Sequence, residues 1–330
     1  MQDADAPNLF WTQDSSKAVL SKHAASMLKS SCKYKRLIKT AETREESFLL
    51  EISFFTSSIV IMAGKTILIT GCSAGGIGYA LAAECQRRGL TVFATARTTS
   101  KMSALEKLPN MTLLPLDVTS PSSIADAVQQ VKSRTGGKLD YLLNNSGQNI
   151  IMPALDLDID DAKRMFEVNF WGVLRMIQAF APLLIEAEGT IVNIGSIVAY
   201  LHAPYTAVYN ASKAAVHMLD ETLRIELAPL NVKVLTVVTG AIKTNIHQNS
   251  PKPQFPPTSR YRAVEKYLEK SWNDEIDRNA STPESFAQKV VGDVLGGATG
   301  KIWRGMYASM TRYGRYFIPM WMQVSFGHTL

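Results

Sequence analysis

With 330 residues, 46% hydrophobic and 19% charged, the chain has the composition of a globular protein with ample core, which excludes a fibrous or wholly disordered one. Its net charge of +6 is spread thinly, which suits an anionic cofactor or substrate but forms no basic cluster of the kind nucleic acid requires. Three cysteines, Cys32, Cys72 and Cys85, make neither a metal-ligand spacing nor a disulfide framework, so no metal site is expected and a reducing, cytoplasmic compartment fits best.

Residues 1–61 differ from the rest. Residues 1–47 are polar, mixed in charge and without period, and they run into an apolar stretch, 48–62, interrupted by Glu51. That stretch is too short for a membrane span, which takes about 20 apolar residues. It also begins too far from Met1 for a secretory signal. A membrane-surface anchor and an added leader outside the fold remain. The leader is the better reading, because Met62-Ala63-Gly64-Lys65 makes a natural start just before the first convincing strand.

From Lys65 the pattern is regular. A β-branched run over 66–70 meets the glycine-rich turn Gly71-Cys72-Ser73-Ala74-Gly75-Gly76-Ile77-Gly78, followed by a helical stretch over 79–88. Strand, glycine turn and helix in this order form the context of a dinucleotide-binding loop, in which backbone N–H groups and a helix N-terminus favour a pyrophosphate. Further strands are expected over 91–96, 111–116, 139–143, 190–194 and 232–238. Helices are expected over 101–107, 121–134 and, as one long element, 159–184. This alternation predicts an α/β fold, a Rossmann-type doubly wound parallel sheet in a single domain over 62–330.

Between the last two of those strands a helix carries Tyr209-Asn210-Ala211-Ser212-Lys213. Residues four apart share a helix face, so the Tyr209 phenol and the Lys213 ammonium point the same way. A nearby cation favours the phenolate, which would bring a group that ordinarily titrates near pH 10 towards acid/base duty at neutral pH. Tyr-x-x-x-Lys also arises by chance in many helices, so the motifs around it carry the weight.

Those motifs resemble the single-domain short-chain dehydrogenase/reductases over roughly 65–246. The turn from Gly71 to Gly78 resembles their cofactor loop, Leu116-Asp117-Val118 their adenine-side motif, and Asn144-Asn145-Ser146-Gly147 their fourth-strand motif. Asn169, Ser196, Tyr209 and Lys213 fall at the positions of the catalytic tetrad, and Ser196 precedes Tyr209 by thirteen residues. The loop itself and the Thr239-Gly240 turn with Thr244 are similar to fungal reductases of the 1-acyl-dihydroxyacetone-phosphate type, many relatives of which serve secondary metabolism. Three departures stand out: one extra loop residue with Gly75, Ser146 in place of alanine, and Thr239 in place of proline.

The resemblance implies hydride transfer between a nicotinamide cofactor and a carbonyl carbon. Tyr209 would give the proton, Ser196 would polarise the carbonyl, Lys213 would lower the Tyr209 pKa and bond the ribose, and Asn169 would hold a relay water. Gly71, Ser73, Gly76, Ile77, Gly78, Asp117, Asn145, Ile242 and Thr244 would line the cofactor site together with Tyr209 and Lys213. The second strand ends in Arg97 with no acid, which suits the 2′-phosphate of NADP(H) better than the free hydroxyls of NAD; a solvated surface arginine is the plainer alternative.

Specificity is expected in a Pro-, Lys- and Tyr-rich lid over 245–280 and in an aromatic tail over 306–330. The tail could cover an apolar substrate, rest on an endoplasmic-reticulum or lipid-droplet surface, or complete the core or a subunit contact. The expected activity is reduction of a small lipophilic ketone (or oxidation of its alcohol): a secondary-metabolite intermediate or acyl-dihydroxyacetone phosphate. The expected assembly is a homodimer or homotetramer, with no nucleic-acid partner. A non-catalytic NADP-binding or redox-sensing protein on the same fold is the alternative.

Overall fold

The computed structural model describes residues 64–246, 250, 252–272 and 280–317. The leader read over 1–61 lies outside them, as do 318–330 of the tail and parts of the lid. Among the described residues seven strands form: β1 (Thr66–Ile69), β2 (Thr91–Ala96), β3 (Met111–Pro115), β4 (Tyr141–Asn144), β5 (Thr190–Ile194), β6 (Lys233–Thr239) and β7 (Gly300–Arg304). They pair in parallel throughout, in the order β3-β2-β1-β4-β5-β6-β7. Parallel neighbours need crossovers. The helices are α1 (Ile77–Arg87), α2 (Pro121–Thr135), α3 (Ile159–Phe166), α4 (Gly172–Glu186), α5 (Ala207–Glu226), α6 (Glu265–Trp272), α7 (Pro283–Leu295) and α8 (Ala308–Phe317). This is the doubly wound sheet that the alternation predicts.

Apolar runs without polar alternation suit strands covered on both faces. Ile67, Ile69, Val92 and Ala94 turn to one side, against Leu81 and Cys85 of α1 and Val290 and Val291 of α7. Leu68, Phe93, Leu142 and Val234 turn to the other, against Val131 of α2, Phe180 of α4 and Leu223 of α5. Local signals start the helices. Ser120, Asp158 and Thr282 cap α2, α3 and α7 through their side chains, and Pro121 and Pro283 occupy first-turn positions.

Two elements differ from expectation. The segment Thr99–Lys107 winds as tight three-residue turns rather than an α-helix; its Thr-Ser start offers the backbone competing hydrogen bonds. The long helix expected over 159–184 is helical from Ile159 to Glu186, but Glu167–Trp171 is a wider π-turn between α3 and α4. This stretch is apolar and long enough to cross a membrane, yet Val173, Met176, Ile177, Phe180 and Leu184 bury its apolar face in the protein core.

The chain winds outward from β1 to β3, returns, and winds the other way from β4 to β7. The loops leaving β1 and β4 therefore diverge, which opens a crevice at the C-terminal ends of the strands where ligands bind in such sheets.

Candidate active site

The segments that follow β4, β5 and the π-turn converge on α5. Tyr209 and Lys213 stand one turn apart near its start. The Lys213 Nζ donates to the carbonyl of Ile194, the last residue of β5, at 2.9 Å, and lies 5.9 Å from the centre of the Tyr209 ring. Ser196 follows β5 and opens a tight turn, Ile197–Ala199, its Oγ accepting from the Val198 N–H at 3.3 Å. The Ser196 side chain also lies beside the Tyr209 phenol and favours its ionised form.

Asn169 reaches the same place from the π-turn. Its Nδ2 donates to the Gln148 carbonyl at 2.9 Å and to Ser212 Oγ at 3.1 Å, while its Oδ1 accepts from the Gln148 N–H at 2.8 Å. Between Asn169 and Lys213 lies Gly147, where a Cβ would stand 3.5 Å from Asn169 Oδ1 and 3.7 Å from Lys213 Nζ. Thus Ser196, Tyr209, Lys213 and Asn169, drawn from three separate elements, face one another.

One sequence expectation needs correction here. Lys213 is expected to lower the Tyr209 pKa, but the phenol is pushed up to about 12. Tyr209 keeps part of its surface open, yet the protein packed around it disfavours the phenolate more than the neighbouring Ser196 side chain favours it. Lys213 is itself pushed down to about 8, because burial outweighs the attraction of Asp220. Both N–H donors of Asn169 are engaged, by Gln148 and Ser212, so a relay water there would donate to an Asn169 oxygen.

The cofactor candidates lie along the C-terminal edge of the sheet. Thr70 Oγ1 accepts from the N–H groups of Asn145 and Ser146, both at 2.9 Å. In return Asn145 Nδ2 donates to the carbonyls of Thr70 and Gly71, at 2.9 and 3.0 Å. Asn145 therefore pins the glycine loop, and its amide donors are taken up by that task. A Cβ on Gly78 would overlap the Gly71 carbonyl and the Asn145 amide, so only glycine lets α1 start this close to β1.

Gly76 begins α1 with no side-chain cap, and no acid stands in the first turn before or after Ile77. The helix thus presents free N–H donors beside Ser73, whose carbonyl accepts from the Gly76 N–H at 3.2 Å. Arg97, just past β2, is exposed and has no hydrogen-bond or ion-pair partner among the described residues. Asp117, past β3, accepts from the Thr119 N–H and hydroxyl with Oδ1, at 2.9 and 2.7 Å. That is the loop-capping arrangement, and it occupies one carboxylate oxygen. Beyond β6, Ile242 bridges to Ser281 ahead of the half-buried Thr244.

Several neighbours were not singled out from the sequence. Asn245 lies against the extra loop residue: a side chain on Gly75, which has φ 76°, would come within 2.7 Å of Asn245 Nδ2. Behind the catalytic face, Asp220 accepts from Asn193 Nδ2 at 2.5 Å and from Thr236 Oγ1 at 2.6 Å, and Asn193 Oδ1 accepts from Asn144 at 2.8 Å. Burial pushes the Asp220 carboxyl up to about 6 against these hydrogen bonds and the cations Lys301 and Lys213. A signal existed, because the buried face of α5 carries Lys213, His217 and Asp220 where apolar residues would be expected. In the segment read as a lid, Ser259 donates to Asp156 at 2.6 Å and Tyr261 makes an edge-on contact with Tyr205.

Residues 65–254 match the family model described as short chain dehydrogenase. The short-chain dehydrogenase ptmH of Penicillium ochrochloron is 47% identical over 262 residues, spanning 79% of this chain and 96% of that protein. The NADPH-dependent 1-acyldihydroxyacetone phosphate reductase of Schizosaccharomyces pombe is 40% identical over 268 residues, spanning 76% of this chain and 89% of the relative. Among solved structures, a short chain dehydrogenase from Burkholderia cenocepacia in complex with NADP superposes with a TM-score of 0.64 at 27% identity, covering 80% of this chain and 98% of that one.

Proposed function

The chain belongs to the short-chain dehydrogenase family, and from that premise we propose that it is an NADP(H)-dependent oxidoreductase reducing a ketone on a lipophilic molecule. The observation that carries this reading is the convergence of Ser196, Tyr209 and Lys213 at the end of β5, with Ser196 beside the Tyr209 phenol and Lys213 anchored to the Ile194 carbonyl. Candidate substrates are a secondary-metabolite intermediate, in line with the fungal relatives, or an acyl-dihydroxyacetone phosphate.

The residues present fit the cofactor. The uncapped, acid-free N-terminus of α1 suits a pyrophosphate, and the unpaired Arg97 suits a 2′-phosphate. Gly71, Ser73, Gly76, Ile77 and Gly78 would hold the phosphates, with Asn145 keeping the loop in place. Asp117 would meet the adenine, Ile242 and Thr244 the carboxamide, and Lys213 the nicotinamide ribose. When bound, the reduced nicotinamide supplies the hydride for the carbonyl carbon.

The chain's own part is proton management and orientation. Ser196 Oγ already accepts from the Val198 N–H, and its own proton, which favours the Tyr209 phenol, would turn to the ketone oxygen when substrate arrives. Tyr209 Oη then delivers a proton to that oxygen as charge develops on it. A phenol held up to about 12 is fully protonated at neutral pH, which suits the reductive direction. Lys213 stabilises the phenolate left behind and can return a proton to it, since its own pKa is held down to about 8.

Two assembly readings accompany this one. Exposed Trp171, Met218 and Ile225 on the outer helical surface support a homodimer or homotetramer; sedimentation of a monomer at micromolar concentration would refute it. On α8, exposed Met310, Tyr313, Tyr316 and Phe317 stand beside Arg312 and Arg315, which supports a cytoplasmic protein that rests on a lipid surface.

The test is incubation of the purified full chain with NADPH or NADH and a panel that includes decalone and palmitoyl-dihydroxyacetone phosphate. Ketone-dependent oxidation of NADPH, slower with NADH, is expected. Tight NADPH binding without turnover of any ketone would favour the non-catalytic alternative.

A further inference from the structure

Behind the reacting groups α5 buries an imidazole that the proton transfer does not use. His217 is 4% exposed and lies one turn beyond Lys213. Its Nε2 accepts from the backbone N–H of Ser196 at 3.3 Å. The end of β5 is therefore stapled to α5 twice, at the Ile194 carbonyl by Lys213 and at the Ser196 N–H by His217.

The approach is close enough to dictate a neighbouring residue. A Cβ on Gly195 would overlap His217 Nε2 and stand 2.8 Å from its Cδ2, so only glycine before Ser196 lets the ring reach that N–H. The same ring packs against Tyr200 with 5.3 Å between centres, at the far end of the turn that Ser196 opens. Tyr200 in turn packs on Trp303 at 5.2 Å, and the Arg315 guanidinium covers both rings, at 4.7 and 5.2 Å. One imidazole thus grips both ends of the turn from Ser196 to Tyr200, and β7 and α8 back it from behind.

We infer that His217 is a positioning residue: as a neutral hydrogen-bond acceptor it fixes the Ser196 main chain and so aims the Ser196 hydroxyl at the ketone oxygen. This rests on the role proposed above for Ser196. Acceptance at Nε2 requires the ring proton to sit on Nδ1. Nδ1 has no hydrogen-bond partner among the described residues, so it is unpaired in either tautomer and the Ser196 N–H decides between them. The charged groups around the ring are Lys213 on α5 and Lys301 on β7. Burial first, and then those two cations, push the imidazole down to about 3, so it stays neutral wherever the enzyme works.

The experiment uses the full chain with NADPH and decalone. His217→Leu fills the space without an acceptor, and kcat should fall roughly ten- to a hundredfold while NADPH affinity, read by fluorescence quenching, is unchanged. His217→Gln, which offers a carbonyl oxygen, should recover to within about threefold of the unmodified enzyme. An unchanged kcat in His217→Leu, or equal losses in the two variants, would overturn the inference. Ser196→Ala separates the two readings: if it stays fully active, the serine assignment fails. In the unmodified protein, nitrogen NMR of labelled histidine should show the Nδ1–H tautomer without titration between about pH 5 and 9. An Nε2–H tautomer would overturn the inference even if no variant folds.

Discussion

Lys213 donates its ammonium proton to the carbonyl of Ile194 at 2.9 Å, so the helix cation is tethered to the end of β5 while its centre stays 5.9 Å from the Tyr209 ring. Removing it therefore does more than remove a charge. Tyr209→Phe keeps the ring and deletes the proton donor, and kcat should fall by roughly 10²–10⁴-fold with NADPH binding retained. Lys213→Ala should lose cofactor affinity as well as kcat, because a ribose contact and the Ile194 anchor go together. Since both residues serve one proton transfer, the double variant should be little slower than the worse single one. Multiplicative losses in kcat would mean that the two act independently.

Arg97 tests the choice of cofactor. It is exposed and unpaired among the described residues, at the strand end where an acid would select the non-phosphorylated cofactor. Arg97→Asp should raise KM for NADPH at least about tenfold and narrow the gap to NADH, as a charge-assisted phosphate contact is worth roughly 1.5–3 kcal/mol. Steady-state kinetics with both cofactors decide it; an unaltered preference removes Arg97 from the site.

Asp220 predicts a pH dependence of stability. Its carboxyl is held up to about 6 by burial, above its ordinary value of 3.8, so the folded state binds the proton more tightly than the unfolded one. The contribution is complete below the unfolded pKa and disappears as the pH rises through the folded one. Between about pH 4 and 6 this group should cost the protein on the order of 3 kcal/mol. Asp220→Asn should gain on the unmodified protein across that window in urea denaturation. A constant difference between the two would exclude Asp220 as the source.

The sheet was legible because its strands are β-branched runs buried on both faces, a pattern that local sequence carries by itself. The candidate site residues were read from their spacing, and Tyr209, Lys213 and Asn169 do meet beside the end of β5. What escaped depends on packing between distant segments. Nothing near Glu167 marks a π-turn, since one extra residue leaves the apolar pattern almost unbroken. Asn245 meets Gly75 only once β6 and the glycine loop have come together. The Tyr209 pKa runs opposite to expectation because a helix face shows the cation but not the desolvation around the phenol. His217 and Asp220 sit at core positions of α5, and read one at a time they look like solvent-facing residues.

The domain boundary predicts that a chain beginning at Met62 folds and reduces ketone as well as the full chain. Every strand among the described residues and every candidate site residue lies after it. Equal kcat and KM for the two forms are expected. A well-folded but inactive truncation would show that residues 1–61 take part in catalysis.

The surface of α8 predicts binding of the full chain to sedimented vesicles of mixed neutral and anionic phospholipid. Tyr313→Ser combined with Phe317→Ser should reduce the bound fraction several-fold without altering turnover of decalone, as each exposed aromatic carries an apolar area worth roughly 1.5–3 kcal/mol when buried. Equal sedimentation of the two forms would leave α8 without a lipid contact.

The π-turn at Glu167–Trp171 also governs how the gene can change. A π-turn holds one residue more than the α-helical path it replaces, and each residue of an α-helix turns about 100°. Deleting a single codon here would let the helix close into regular turns and need not break it. Because the wider turn accommodates the extra residue, α3 and α4 would keep nearly the same faces towards their neighbours. What would change is the seat of Asn169: drawn back into α-helical register, its amide would leave Gln148 and Ser212. A one-residue deletion in this segment should therefore leave the sheet and both flanking helices standing while unlocking the loop that follows β4.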